Sequence, residues 1–116
     1  MIKHGLVIPT HDAPYWVDLD EGIRAIQEAV GGFFGQIIGR PTFAMYANDE
    51  AKYIAGSSEN VAATGLARHC GTIKSGDWIA GQTIIVGIED TKTFRGVVDL
   101  SESHPVAKAM LAGKFK

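Results

Sequence analysis

Apolar positions in this chain fall into short dense runs, separated by glycine, proline, asparagine and aspartate. Leu6-Val7-Ile8 and Thr83-Ile84-Ile85-Val86 are too short and too β-branched to favour helices, and they read as buried strands. The first is expected to extend over residues 2–9, where Pro9 removes a ladder donor and ends it. After a loop over residues 10–14, Tyr15-Trp16-Val17 returns as the second arm of a hairpin. Residues 33–38 and 42–47 form another strand pair across Gly39-Arg40-Pro41. Asn48-Asp49-Glu50 then makes a turn into a short strand at residues 52–55. Gly76-Asp77 opens a turn because glycine reaches positive φ and aspartate bonds its own backbone. Strands follow at residues 78–80 and 82–88, with an edge strand at 95–99.

Helical spacing is expected in three places. Asp18 and Glu21 have capping-box spacing, and Leu19, Ile23, Ile26 and Val30 form one stripe that Gly31-Gly32 ends. A second helix spans about residues 60–69, capped by Ser58 or Asn60 and stopped by Gly71. Gly65 weakens it by up to about 1 kcal/mol relative to alanine. A third starts at Ser103, with Pro105 in its first turn, and ends near Gly113. Hairpins mixed with helices predict an α+β fold, a small mostly antiparallel sheet with two to three helices packed on it. The chain of 116 residues is expected to make a single domain, residues 1–116.

Composition narrows the function without naming it. The 46% apolar and 21% charged fractions exclude a disordered chain. A net charge of −2 gives no overall attraction to nucleic acid. Residues 1–50 carry three basic and seven acidic groups, against eight and six in residues 51–116, and no basic run accompanies the difference. One cysteine, Cys70, makes no internal disulfide and fits a reducing cytoplasm. No stretch approaches the roughly 20 apolar residues of a membrane span.

Candidate chemistry is sparse. His11-Asp12 lies in a proline-flanked loop where turn chemistry accounts for the aspartate. His69 and Cys70 are helix neighbours, about 100° apart, so the imidazole does not serve the thiol; a helix-end histidine beside a small buried thiol is expected instead. His4, His11, His69 and His104 show no metal spacing, and no P-loop, GxGxxG or Gly-x-Ser-x-Gly is present. Asp18, Asp20 and Glu21 are explained by the first turn of a helix. No catalytic set, metal site or cofactor is therefore expected. Two features suggest binding. Tyr15 and Trp16 put one aromatic on each face of a strand, and Trp78 adds a third outside a guaranteed core position. Tyr46 and Asn48 end a strand close to Lys52, with Asn60 downstream, as a polar rim for a small ligand or peptide.

The pattern resembles a family of small uncharacterised domains carried by bacteriophages, notably those of actinobacteria, and by other mobile elements (domain of unknown function 3846). The resemblance rests on Leu6-Val7-Ile8-Pro9, Pro14-Tyr15-Trp16-Val17-Asp18-Leu19-Asp20 and Ile26-Gln27-Glu28-Ala29-Val30-Gly31-Gly32. It continues in Met45-Tyr46-Ala47-Asn48-Asp49-Glu50, Asn60 with Ala63-Thr64, and Gly76-Asp77-Trp78-Ile79-Ala80-Gly81 through Val86-Gly87. Residues 51–58 depart from the pattern, with Tyr53-Ile54-Ala55-Gly56-Ser57-Ser58 where a Gly-Leu-Pro-like link is expected. The resemblance implies a protein of the bacterial host cytoplasm with no carried-over activity. The leading expectation is an accessory protein, not an enzyme, that binds a host or phage protein through edge strands and aromatics, with a homodimer as one form. One alternative is a small-molecule or nucleotide binder, or a minor enzyme, using Tyr46, Asn48, Lys52 and Asn60. Another is a weak nucleic-acid binder through Arg68, Lys74, Lys92 and Arg95, which the net charge disfavours. No membrane partner is expected.

Overall fold

In a computed structural model that describes residues 4–54, 56–93 and 95–115, the chain folds into one antiparallel sheet of six strands with three helices. The strands are β1 (His4–Ile8), β2 (Tyr15–Asp18), β3 (Phe34–Gly39), β4 (Phe43–Asn48), β5 (Thr83–Asp90) and β6 (Arg95–Val98). The helices are α1 (Ile23–Val30), α2 (Val61–His69) and α3 (Pro105–Leu111). The α+β expectation holds, and every strand pair is antiparallel.

The long apolar run at β5 makes it the centre of the sheet. Along one side it pairs with β4, whose own outer neighbour is β3. Along the other it pairs first with β1, which carries β2, and then with β6. Residues 83–88 are all buried because both faces are covered. Ile84, Val86 and Ile88 meet Ile26 and Val30 of α1 on one face. On the other, Ile85 with Leu6, Ile8, Ile38 and Met45 packs against Leu66 and Ala67 of α2 and Val106 and Met110 of α3. The continuous runs at β1 and β5, without polar alternation, are the signature of that double cover.

Several expectations fail for local reasons. Asp18 caps no helix: its carboxylate accepts the Asp20 N–H at 2.8 Å, closing a turn. A Gly22 N–H to Leu19 carbonyl bond and the positive φ of Gly22 break helical continuity there. Leu19 and Ile23 are consequently not one helix face; Leu19 is buried and Ile23 is 66% exposed. Ala51–Tyr53 is a 3₁₀ turn where a strand was expected, since no neighbouring strand offers a ladder; Ala55 lies outside the described residues, as do Ile2 and Lys3 of the expected first strand. Residues 78–80 make only a Glu59–Ala80 bridge. Their backbone is satisfied by α2 instead: the Ile79 N–H donates to Thr64 Oγ1 at 2.9 Å, and its carbonyl accepts from the Asn60 N–H. Gly65 is tolerated in α2 because the chain end packs on it. A Cβ there would lie 2.8 Å from Phe115 Cβ and 3.0 Å from its carbonyl oxygen.

The third helix is capped by His104, not Ser103. His104 Nδ1 accepts the Val106 N–H at 3.0 Å, which leaves the ring proton on Nε2, 2.9 Å from Thr42 Oγ1. Burial pushes the His104 pKa below its usual value. The unfolded chain therefore takes up this proton first. The stability that the neutral ring contributes is complete above about pH 6.5 and declines as pH falls from there toward the lowered folded value. Melting measured from pH 7 to pH 5 is expected to show a decline that is smaller in His104→Asn, which keeps a cap acceptor but does not titrate. An identical decline in both proteins would remove His104 as its source.

Candidate functional site

The loops that follow β1 and β4 and those that precede β3 and β5 gather at one end of the sheet. Each is held by side chains whose types the sequence makes conspicuous. Asn48 Oδ1 accepts the Glu50 N–H at 2.8 Å, and its Nδ2 donates to the Val30 carbonyl at the end of α1. Gln82 Nε2 donates to the Ala29 carbonyl beside it. Asn60 is fully buried and bonds three ways: Nδ2 donates to the Ile8 and Gly81 carbonyls, and Oδ1 caps α2 by accepting the Ala63 N–H. Both asparagines are thus scaffolding for the loop end.

On that scaffold sits a cleft of about 250 Å³ between β3 and the segment 73–79. Its apolar lining includes Ile37, Ile73 and Ile79, and its polar rim Asn48, Lys52 and Asp77. Lys52 Nζ donates to Asp77 Oδ1 at 2.7 Å and lies 4.8 Å from the centre of the Trp78 ring. The Trp78 N–H donates to the same carboxylate oxygen at 2.8 Å. The hydrogen bond from Lys52, followed by that from Trp78, holds the Asp77 carboxyl below the usual carboxylate range. Arg68 Nη2 donates to the Asp77 carbonyl at 2.9 Å. The cleft is smaller than the roughly 300–1,000 Å³ of a site for a drug-sized ligand.

A second cleft, sharing Asn48 and Ala51 with the first, is lined by Ile54 and His11, and a third shares Thr10 and His11 and reaches Val61. Large apolar residues stand open around all three. Tyr53 at the first is 88% exposed, Ile54 at the second 52% and Val61 at the third 51%; Phe33, 78% exposed, lines none of them, and its carbonyl accepts the Asp49 N–H.

Of the residues singled out in the sequence, Asn48, Lys52 and Trp78 meet at the first cleft. Tyr46 lies on the opposite face of the sheet, its ring 5.2 Å from Phe34. Tyr15 and Trp16 take opposite faces of β2, Tyr15 half exposed and Trp16 edge-on to His4 at 4.9 Å. Tyr53, Ile54, Phe33 and Val61 escaped sequence reasoning, because an apolar residue announces its exposure only once its strand or helix has a position. Cys70 is half-buried, not buried, and its carbonyl accepts from Arg40 Nη2. Among the described residues no three His, Cys, Asp or Glu side chains converge as a metal site would require, and no helix is long and apolar enough to cross a membrane.

The fold and site together define a small α+β domain with an open, partly apolar end. The chain belongs to the family described as domain of unknown function (DUF3846), whose model matches residues 2–105. No curated protein and no solved structure matches it.

Proposed function

We propose that this chain is an accessory protein of bacteriophage or mobile-element genomes, working in the host cytoplasm by binding a host or phage protein at the loop end of its sheet. The observation that carries the reading is the set of three exposed large apolar residues, Tyr53, Ile54 and Val61, each lining one of three adjoining clefts. Single exposed apolar residues need no explanation, but a group around one concave region is what protein contacts use. Tyrosine and tryptophan beside a cation are also the common anchors of such contacts. The family resemblance supplies the genomic setting.

The small-ligand alternative fares less well, because Tyr46 faces away and Asn60 is wholly engaged in the scaffold. The test compares tagged wild-type protein with a Tyr53→Asp/Ile54→Asp double variant and with Leu111→Asp, an exposed apolar residue outside this end. All three are expected to melt alike, since each change is on the surface. A specific host-lysate partner should be recovered by wild type and Leu111→Asp, and lost with the double variant. Recovery of no specific partner by wild type, or equal recovery by the double variant, would sink the proposal.

A further inference from the structure

At the other end of β4 from the three clefts lies a pocket of about 270 Å³ that the docking surface does not use. Its walls come from the start of β4, the last turn of α2, the helix α3 and the chain that follows it. Phe43, Leu66, Val106, Ala109 and Phe115 make most of the lining apolar. Four of the lining residues carry aromatic rings, and these meet in pairs. Phe43 is edge-on to His104 at 5.5 Å, and His69 is tilted against Phe115 at 5.5 Å. The glycine that weakens α2 admits the Phe115 wall, because a side chain on Gly65 would collide with it.

The polar groups of the lining differ in what they have left to offer. His104 is spent: Nδ1 accepts the Val106 N–H and Nε2 bonds the Thr42 hydroxyl. Lys114 is exposed, and among the described residues no carboxylate lies within 4.0 Å of its ammonium. Its Nζ stands instead 5.8 Å from the centre of the Phe115 ring, at the rim of the pocket. No aspartate or glutamate is found among the described lining residues, so nothing there opposes an anion beside that cation. Size sets a further limit. An apolar cavity of about 150 Å³ takes up benzene, so this space suits an aromatic ring with a short polar arm, below the size of a drug-like ligand.

We infer that this pocket binds a small aromatic carboxylate, its ring against Phe43, Leu66 and Phe115 and its carboxylate on Lys114 Nζ. Aromatic walls favour a ring that packs edge-on or offset over an aliphatic chain of equal area. A neutral aromatic gains the same burial but leaves the ammonium without a partner. A phosphate is poorly matched to a lining that is mostly apolar and holds one unpaired ammonium.

Cys70 lines the same pocket and is the chain's one cysteine, so alkylation of its thiol by iodoacetamide reports occupancy. The probes are benzoate and 2-naphthoate at millimolar concentrations, each compared with its primary amide. At least one acid is expected to slow alkylation and to raise the melting temperature, as a ligand of the folded state must. Its amide should bind several-fold more weakly. Lys114→Gln should weaken the acid about threefold to fivefold, as for an exposed charge contact, with an unchanged melting temperature in its absence. Lys108→Gln, on α3 but outside the pocket, should bind like wild type. Ala109→Leu fills the space from α3 and should abolish protection; Lys114→Gln and the amides decide the matter if that variant does not fold. Protection by neither acid, equal protection by acid and amide, or equal affinity in Lys114→Gln would each overturn the inference. So would protection that persists in a folded Ala109→Leu. Protection of Cys70 that grows with protein concentration without any acid would overturn it too, by placing a second copy of the chain in the pocket. None of these variants touches Tyr53, Ile54 or Val61, so the result is independent of the partner capture.

Discussion

Replacing Asn60 by alanine is expected to lower the stability of the fold by roughly 2–4 kcal/mol. The side chain is 0% exposed, and it serves three backbone groups from three separate segments. Its Nδ2 donates to the Ile8 carbonyl at 2.8 Å and the Gly81 carbonyl at 3.0 Å, while Oδ1 accepts the Ala63 N–H at 3.1 Å. Truncation removes these bonds, those to the Ile8 carbonyl and the Ala63 N–H in buried surroundings and that to the Gly81 carbonyl in partly buried ones. Each buried group left unpaired costs about 1–3 kcal/mol, which relaxation of the loops offsets in part. Against a total of about 5–15 kcal/mol for a typical domain, the loss is a large fraction. A fall of about 10 °C in melting temperature is the corresponding reading.

A second substitution separates the two jobs of this residue. Aspartate is as good an N-cap as asparagine, so Asn60→Asp would be nearly harmless if capping α2 were all that mattered. It replaces the donor to Ile8 and Gly81 with a carboxylate oxygen facing two carbonyls, and buries a charge as well. Asn60→Asp is therefore expected to cost at least as much as Asn60→Ala. A melting temperature within about 2 °C of wild type for the aspartate variant would show that the clamp contributes little.

Asn60 also shows how far the sequence could be read. Its capping role is local, three residues from the N–H that it accepts, and the pattern Asn60 to Ala63 exposes it directly. The clamp joins it to Ile8 and Gly81, 52 and 21 residues away, and no periodicity encodes such a pairing. The same boundary runs through the candidate site. Lys52, Asn48 and Trp78 are visible as polar or aromatic residues near turns, but the Lys52–Asp77 bond spans 25 residues and exists only after the segment 73–79 is laid beside β3. Apolar runs that pair on both faces, at β1 and β5, were legible because burial on both sides removes polar alternation. Tyr53 and Ile54 resemble such a run, yet the flanking turns at Asn48-Asp49-Glu50 and Gly56-Ser57-Ser58 leave too little chain for a ladder. Residues 51–53 close into a 3₁₀ turn with Ile54 at its C-terminal end, and the side chains of Tyr53 and Ile54 are exposed.

Gly87→Ala is expected to cost at least about 3 kcal/mol, at the upper end of overpacking in a rigid core. Gly87 sits in β5, opposite Phe43 of β4 and Val98 of β6. Past Val98 the chain crosses over β5 toward the layer of α2 and α3, where Leu100 is buried at 1% exposure. A Cβ on Gly87 would meet that crossing at 2.4 Å from the Asp99 carbonyl oxygen, 2.8 Å from its carbon and 3.0 Å from the Val98 oxygen. These are backbone atoms, so no rotamer change makes room. The crossing is also tied down: the His4 N–H donates to Asp99 Oδ1 at 2.8 Å, and the Leu100 N–H donates to the His4 carbonyl. Relief would have to break the contact between β1 and residues 99–100 or lift β6 from β5. Gly76→Ala provides the comparison, because its φ of 88° is unfavourable for alanine but no atom lies within 4 Å of the added Cβ. That variant should lose only about 1–2 kcal/mol. Urea unfolding of the two variants measures the difference directly, and equal midpoints would mean that the chain has room to pass over Gly87 after all.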